Sequence, residues 1–155
     1  DTAGLTWTPI RDTIYDDASN PRLRAVLWRA VVGASPVSMT VSLAHALAGN
    51  FNLHVFQLQY GTVSANLNDA LDAAGDPLVT LPSFPASDSL VIGTFLFYGS
   101  AAPTPPTGMT GINTLNNNSG GLRSQVAYVL GPASQSYGWS TSGSKSLAQL
   151  VEIRR

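Results

Sequence analysis

The sequence predicts an all-β fold, an antiparallel β-sandwich of the jelly-roll type with at most one short helical turn. Short segments rich in branched and aromatic residues recur along the chain, and turns built from glycine, proline and asparagine separate them. Helical spacing of apolar residues is confined to one segment. With 155 residues and no internal repeat we expect a single domain, and the absence of cysteine excludes disulfides and zinc–thiolate sites.

The first two strands are predicted from short apolar patches. Trp7 and Ile10 form only a brief patch before the turn-like residues 16–21, which predicts a thin or incomplete first strand. Because the chain begins with Asp1 rather than methionine, we expect a processed or trimmed N-terminus or a fragment of a longer chain. A second strand contains Trp28, and the apolar residues around it predict that its ring lies in the core, with an interface anchor as the alternative.

Three different patterns occupy the middle of the chain. Residues 38–47 alternate between larger and small side chains, which is typical of a strand covered on one face. Residues 51–60 and 90–98 are apolar on both faces, which is typical of central strands. The apolar spacing at 66–74 predicts a helical turn, with an ordered loop as the alternative. The loop at 101–108 contains three prolines, so we expect it to be extended and outside the sheet interior.

Two further strands are predicted near the C-terminus. Residues 122–130 alternate between apolar and polar side chains, with Arg123 and Gln125 on the polar face. Residues 147–153 form the last strand, after a loop of serine and glycine. Together with the earlier segments, these give enough predicted strands for a β-sandwich.

The order of these pieces resembles a loose group of β-sandwich modules found in tailed-phage structural proteins and in bacterial surface or secreted proteins. The resemblance is carried by seven segments across nearly the whole chain: GLTW at 4–7, RLRAVLWRAVVGASP at 22–36, FNLHVFQLQYG at 51–61, NDALDAAGD at 68–76, LVIGTFLFYG at 90–99, VAYVLG at 126–131 and YGWSTSGSKSLAQLVEI at 137–153. It implies a non-enzymatic, jelly-roll-like module that decorates, adheres or assembles, in a virion, outside the cell or at its surface.

The distribution of charge favours an assembly subunit. Residues 30–122 contain no lysine or arginine, although scattered lysine normally keeps surfaces soluble and sheet edges unpaired. The uncharged side of the strand predicted at 38–47 is therefore a candidate self-assembly face, made of Ser38, Thr40, Ser42 and Ala44. We expect the partner to be another copy of the chain or a larger capsid, filament or fibre protein.

Net charge and hydropathy exclude two other classes of partner. A net charge of −1 and an isoelectric point near 6.0 provide no field that attracts nucleic acid. No apolar run approaches the ~20 residues that a membrane-spanning helix needs. We therefore expect neither nucleic-acid binding nor membrane insertion.

The residues that carry chemistry do not form a catalytic pattern. There is no G-x-S-x-G elbow and no phosphate-binding loop, and Glu152 is the only glutamate, although an aspartate pair stays formally open for glycosidase chemistry. His45 and His54 lie in different predicted strands without a neighbouring carboxylate, so we expect structural or surface histidines. The sequence predicts no enzymatic activity and no cofactor.

Structural calcium is the one metal role that the residue types leave open. Six aspartates form two groups whose oxygens suit a hard cation: Asp12, Asp16 and Asp17, and Asp69, Asp72 and Asp76. Neither group has the D-x-D-x-D-G spacing of a calcium loop, so we expect caps, turns and solvated side chains instead. Asn117 begins a glycosylation sequon, Asn-Asn-Ser, in a predicted loop.

The alternative function is a glycan-binding adhesion module. Aromatic rings can stack on sugars, and Tyr137 and Trp139 are the candidate platform, with Tyr137 expected to be exposed. The arginines near both ends of the chain offer either an anionic-glycan site or, as we expect, salt-bridge partners for nearby carboxylates.

Overall fold

The computed structural model describes residues 1–18, 22–33, 38–43, 50–59, 61–117, 121–141 and 145–155. Within these ranges the protein is all-β and contains no helix. Its strands are β1 (Thr8–Tyr15), β2 (Leu23–Arg29), β3 (Thr62–Asp72), β4 (Leu78–Thr80), β5 (Leu90–Tyr98), β6 (Thr110–Asn117), β7 (Leu122–Leu130), β8 (Ser136–Gly138) and β9 (Ser146–Arg154). The predicted all-β, sandwich-like class is therefore confirmed.

A five-stranded antiparallel sheet forms the centre of the fold, in the order β3-β9-β5-β7-β6. Its middle strands are the ones with apolar residues on both faces, because β5 and β9 are covered from two sides. The predictions for 90–98, 122–130 and 147–153 are confirmed as β5, β7 and β9. Among the described residues, the edge strands of this sheet are β3 and β6.

One face of the central sheet packs against the short ribbon of β4 and β8. Phe95 and Phe97 of β5 stack with a centroid separation of 5.0 Å, and Phe95 lies 5.7 Å from the ring of Trp139. Buried Gln125 of β7 accepts a hydrogen bond from the indole nitrogen of Trp139 at 3.1 Å and donates one to the Pro103 carbonyl at 3.0 Å. These bonds satisfy a polar group inside the apolar layer.

The other face packs against the antiparallel hairpin of β1 and β2. Buried Gln149 of β9 ties the two layers together: its amide donates to Thr13 Oγ1 at 2.8 Å and to the Ala25 carbonyl at 3.2 Å. At the edge of this layer Arg11 of β1 forms an ion pair with Asp69 of β3. The central sheet therefore has a two-stranded ribbon on each face.

Two predictions for the N-terminal strands are wrong. β1 has eight residues, seven of which pair with β2, so the first strand is not incomplete. Trp28 is half exposed instead of lying in the core. The hairpin register explains this position: Leu23 and Ala25 face the central sheet, so the alternate residue Trp28 lies on the outer face.

The helical turn predicted at 66–74 is also wrong, because β3 occupies most of that segment. Leu67 and Asn68 pair with Val151 and Leu150 of β9, and pairing continues to Asp72. The ladder with β9 outweighs a local spacing that also fits a helix. The carboxylate of Asp72 then caps a turn after the strand, not a helix, by accepting the backbone N–H groups of Ala74 and Asp76.

The two strands predicted between β2 and β3 are wrong where the structure describes them. Residues 38–43 and 50–59 are not in strands, and residues 44–49 and 60 lie outside the described residues. The central positions of the sheet are filled by β5 and β9, whose ladder extends from Leu90 to Phe97. The apolar residues at 51–58 consequently lie at the surface. The loop at 101–108 stays outside the five-stranded sheet, as predicted.

Candidate functional site: an uncharged sheet edge

The predicted glycan platform is buried in the fold. Tyr137 and Trp139 retain 3% and 2% of their surface and belong to the core beside β5. Their ring faces are covered by the sheet, so a sugar has no access to them. The expectation that Tyr137 is exposed is wrong because β8 pairs with β4 and turns this side chain inward.

The six aspartates named as candidate calcium ligands lie in ion pairs and turns, as expected. Four of them lie beside basic side chains, in the pairs Asp12–Arg24, Asp16–Arg22, Asp17–Lys145 and Asp69–Arg11. Asp72 caps a turn, and Asp76 accepts the backbone N–H of Thr141 at 3.3 Å. Among the described residues, histidines and carboxylates form no group of three that can hold a metal ion. The arrangement is one of ion pairs and turns.

The residues predicted for self-assembly and glycosylation are only partly described. Ser38, Thr40 and Ser42 are exposed, in a segment without strand structure, whereas Ala44 lies outside the described residues. Thr40 and Thr2 exchange hydrogen bonds of 2.9 and 3.1 Å, which join this segment to the N-terminus. Asn117 ends β6, and the other two residues of its sequon lie outside the described residues, as does His45.

Glu152 is a buried carboxylate whose structural role the sequence does not reveal. It is fully buried, and its oxygens accept hydrogen bonds from the backbone of Ala86 at 2.8 Å, from Ser64 and Asn66 at 3.0 Å each, and from Arg154 at 3.2 Å. Although burial opposes ionisation, these donors lower the pKa of Glu152 to about 2.

The Glu152 cluster holds several parts of the fold together. A register shift in β3 between Val63 and Leu67 brings Ser64 and Asn66 to the carboxylate. A surface cavity of about 380 Å³ lies beside the cluster, lined in part by Ser64, Asn66 and Arg154. Because donors reach both carboxylate oxygens, Glu152 anchors the loop before β5.

His54 anchors the surface segment 50–59 to the sheet. Its Nε2 lies 2.7 Å from Ser124 Oγ of β7, and Asn52 donates to the Leu115 carbonyl of β6 at 3.4 Å. Partial burial lowers the pKa of His54. A cavity of about 290 Å³ under the segment is lined by Leu53, His54, Val55, Phe56, Ile112, Asn113 and Val126. The segment therefore lies over the β6–β7 end of the sheet.

Five apolar side chains of this segment are exposed. Phe51, Leu53, Val55, Phe56 and Leu58 retain between 38% and 56% of their surface, and Ile112 of the neighbouring edge strand β6 retains 49%. We call segment 50–59 together with β6 the open edge. Neither part contains a lysine, arginine, aspartate or glutamate.

The open edge combines two kinds of interaction surface. Along one side it offers apolar side chains, and along the other it offers the outer backbone edge of β6. Exposed apolar patches are surfaces that associate with other proteins. The lack of lysine and arginine from 30 to 122 was the sequence signal for this surface. It was assigned to residues 38–44, and β6 was missed.

Comparison with known proteins adds no assignment. No model of a protein family matches the chain, and neither a curated protein nor a solved structure shows significant similarity to it. None of the described residues belongs to a helix able to span a membrane.

Proposed function

We propose that this protein is a non-enzymatic structural subunit of an extracellular or virion assembly, with a phage decoration or fibre protein as the favoured setting and a surface filament subunit as the second. The observation that carries the proposal is the open edge. It places exposed apolar side chains next to the edge of a sheet, without a charged residue in either part. Burying exposed apolar surface of this kind against a partner lowers the free energy of the system.

The position of the charges supports an assembly role. Four of the five described ion pairs involve the β1–β2 hairpin or its connecting turn, including Asp12–Arg24 and Asp16–Arg22, and the fifth, Arg154–Glu152, lies on β9. The opposite edge strand β6 is uncharged. Charged residues are depleted from the centres of protein interfaces because their desolvation is costly. The molecule thus has a charged side suited to solvent and an uncharged side suited to a neighbouring subunit.

Light scattering coupled to size-exclusion chromatography tests this proposal. We expect a mass that rises above the 16.2 kDa of one chain as protein concentration increases. The double variant Phe51→Ser/Val55→Ser removes exposed apolar surface from the open edge and should shift the equilibrium toward monomer.

The matched control is Phe84→Ser/Leu130→Ser, which removes two apolar side chains of similar exposure outside the open edge and should leave association unchanged. A wild-type protein that stays monomeric throughout the accessible concentration range would contradict the proposal. Equal loss of association in both double variants would show that the open edge is not the interface.

A further inference from the structure

The cavity of about 380 Å³ beside the Glu152 cluster lies where the edge strand β3 departs from regular pairing. The register shift in β3 takes residues 64–66 out of the ladder with β9, and all three line the cavity. Pro82 and Ser83 form another part of the lining. Bulges are frequent beside active sites because they redirect side chains. The volume is at the lower end of the ~300–1,000 Å³ typical of small-molecule sites, so the cavity has room for one small molecule.

Buried hydrogen bonds fix the wall of this cavity. Asn66 is only 5% exposed, and its side-chain amide donates to the Ser83 carbonyl while its side-chain oxygen accepts the Ser83 backbone N–H, both at 3.0 Å. The same amide donates to the carboxylate of Glu152 at 3.0 Å, and Ser64 donates to that carboxylate as well. Because these groups are already paired, the wall keeps its shape without a ligand, which reduces the ordering cost of binding.

Three polar groups of the lining are available to a ligand. Thr62 and Ser83 are exposed, and within the described part of the chain their hydroxyl groups have no hydrogen-bond partner. Arg154, whose side chain is 54% exposed, contacts Glu152 through Nε at 3.2 Å and Nη2 at 3.1 Å and directs its third nitrogen elsewhere. Thr62 and Arg154 are partners in the β3–β9 ladder, so their side chains are neighbours on one face of the sheet.

From these groups we infer that the cavity binds one neutral sugar ring. The carboxylate of Glu152 offsets the charge of Arg154, so the pair offers an anion no net charge. An apolar ligand would remove the guanidinium and the two hydroxyl groups from water without replacing their hydrogen bonds. A sugar supplies hydroxyl groups that both donate and accept, and its C–H groups can pack against Ala65 and Pro82.

The cavity is separate from the open edge. It lies at β3, at one end of the strand order, whereas the open edge contains β6, at the other end. Sugar binding therefore does not require association, and the inference goes beyond the assembly role. In an assembly, the cavities of several subunits could bind one sugar-covered surface together, which raises the overall affinity.

Titration with neutral monosaccharides, followed by NMR, tests the inference. The probes are D-glucose, D-galactose, D-mannose and N-acetyl-D-glucosamine, with acetate as the charged comparison. We expect at least one sugar to shift the backbone amide signals of residues 64–66 and Ser83, with a dissociation constant of about 1–10 mM, and to leave those of β6 unchanged. No shift with any of the sugars, or shifts with acetate alone, would overturn the inference.

Two double variants locate the binding. Thr62→Val/Ser83→Ala removes both available hydroxyl groups and should weaken binding of the sugar by about tenfold or more. The matched control, Thr110→Val/Ser87→Ala, removes the same groups from two exposed residues outside the cavity and should bind as wild type does. Equal affinity of the two double variants would show that the cavity is not the site.

The variant Ala65→Leu provides a second measurement if the first double variant fails to fold. Ala65 is exposed and lines the cavity, so a larger side chain takes up space there without removing a hydrogen bond. We expect the sugar-dependent shifts to disappear while the amide spectrum remains that of a folded protein. Undiminished binding in Ala65→Leu would contradict the inference.

The methyl glycoside of the sugar that binds distinguishes two sources of the same ring. Binding of the glycoside supports recognition of a sugar at the end of a glycan, and binding of the free sugar alone supports recognition of a free monosaccharide. These results are independent of the assembly role. A monomeric protein that binds a sugar keeps this inference and loses the assembly role, whereas an associating protein that binds none of the sugars does the reverse.

Discussion

The indole of Trp139 lies directly against the backbone of Gly93. A Cβ atom at position 93 would be 2.8 Å from Cζ2 of the indole and closer still to Cη2. At this contact β5, which contains Gly93, lies directly against the ring of Trp139, the residue after β8. Glycine at this position is therefore required by packing and not by an unusual backbone angle.

We predict that Gly93→Ala destabilises the fold by about 1–3 kcal/mol, because the added methyl group must displace a buried ring from a dense core. Chemical denaturation monitored by tryptophan fluorescence measures the change in the free energy of unfolding. Gly33→Ala is the matched control, since an added Cβ meets no atom within 4 Å there. Equal stability of the two variants would contradict the packing relationship.

The Glu152 cluster predicts a loss of stability in acid. The pKa of Glu152 falls from 4.5 to about 2 on folding, so its contribution is complete above pH 4.5 and is lost as the pH falls toward 2. At about 1.4 kcal/mol per pKa unit, the contribution is on the order of 3 kcal/mol. Urea denaturation at a series of pH values measures it.

The variant Glu152→Gln should be less stable than wild type at neutral pH, because it cannot accept the charged and amide donors as well. It should also lose the part of the acid sensitivity that Glu152 contributes. An unchanged pH profile in Glu152→Gln would show that this carboxylate is not responsible for the acid transition.

His54 predicts a local response to mild acid. Burial lowers its pKa below the ordinary value of 6.5, so the unfolded segment binds protons more readily than the folded one. The stabilisation is present above pH 6.5 and is lost as the pH falls. The other residues that line the adjoining cavity are uncharged, and the contact from β7 is the Ser124 hydroxyl, so no carboxylate there offsets the added charge.

We expect faster hydrogen exchange in residues 50–59 at pH 5 than at pH 7.5, after correction for the intrinsic pH dependence of exchange, with β5 and β9 unaffected. His54→Gln keeps a hydrogen-bonding side chain without a titration in this range and should remove the difference. Persistence of the difference in this variant would assign the response to another group.

Several features of the fold could be predicted from residue pattern alone. The segments that became β5, β7 and β9 combine strand-forming residues with flanking turns, so local preference and tertiary pairing agree. Trp139 was expected to pack, and it does. The central strand predicted at 51–60 was wrong. Apolar residues on both faces indicate that burial of the segment is favourable, but they do not show which part of the fold buries it.

The remaining errors have a common cause in long-range pairing. Residues 66–74 fit a helix by spacing, yet the ladder of Leu67 and Asn68 with β9 decides their structure. Trp28 and Tyr137 exchange their expected environments, since the hairpin register turns Trp28 outward and the β4–β8 pair turns Tyr137 inward. A one-residue difference in register reverses the face on which a side chain lies.

The sequence by itself determined the all-β class, the strands at 90–98, 122–130 and 147–153, and an uncharged middle of the chain, because these depend on local preference and composition. Only the tertiary structure decided that β6 is an edge strand of the described sheet, that residues 50–59 lie at the surface beside it, and that Glu152 is buried among donors. Those features depend on which distant segments pair, and the free energy of that pairing is shared between strands far apart in the chain.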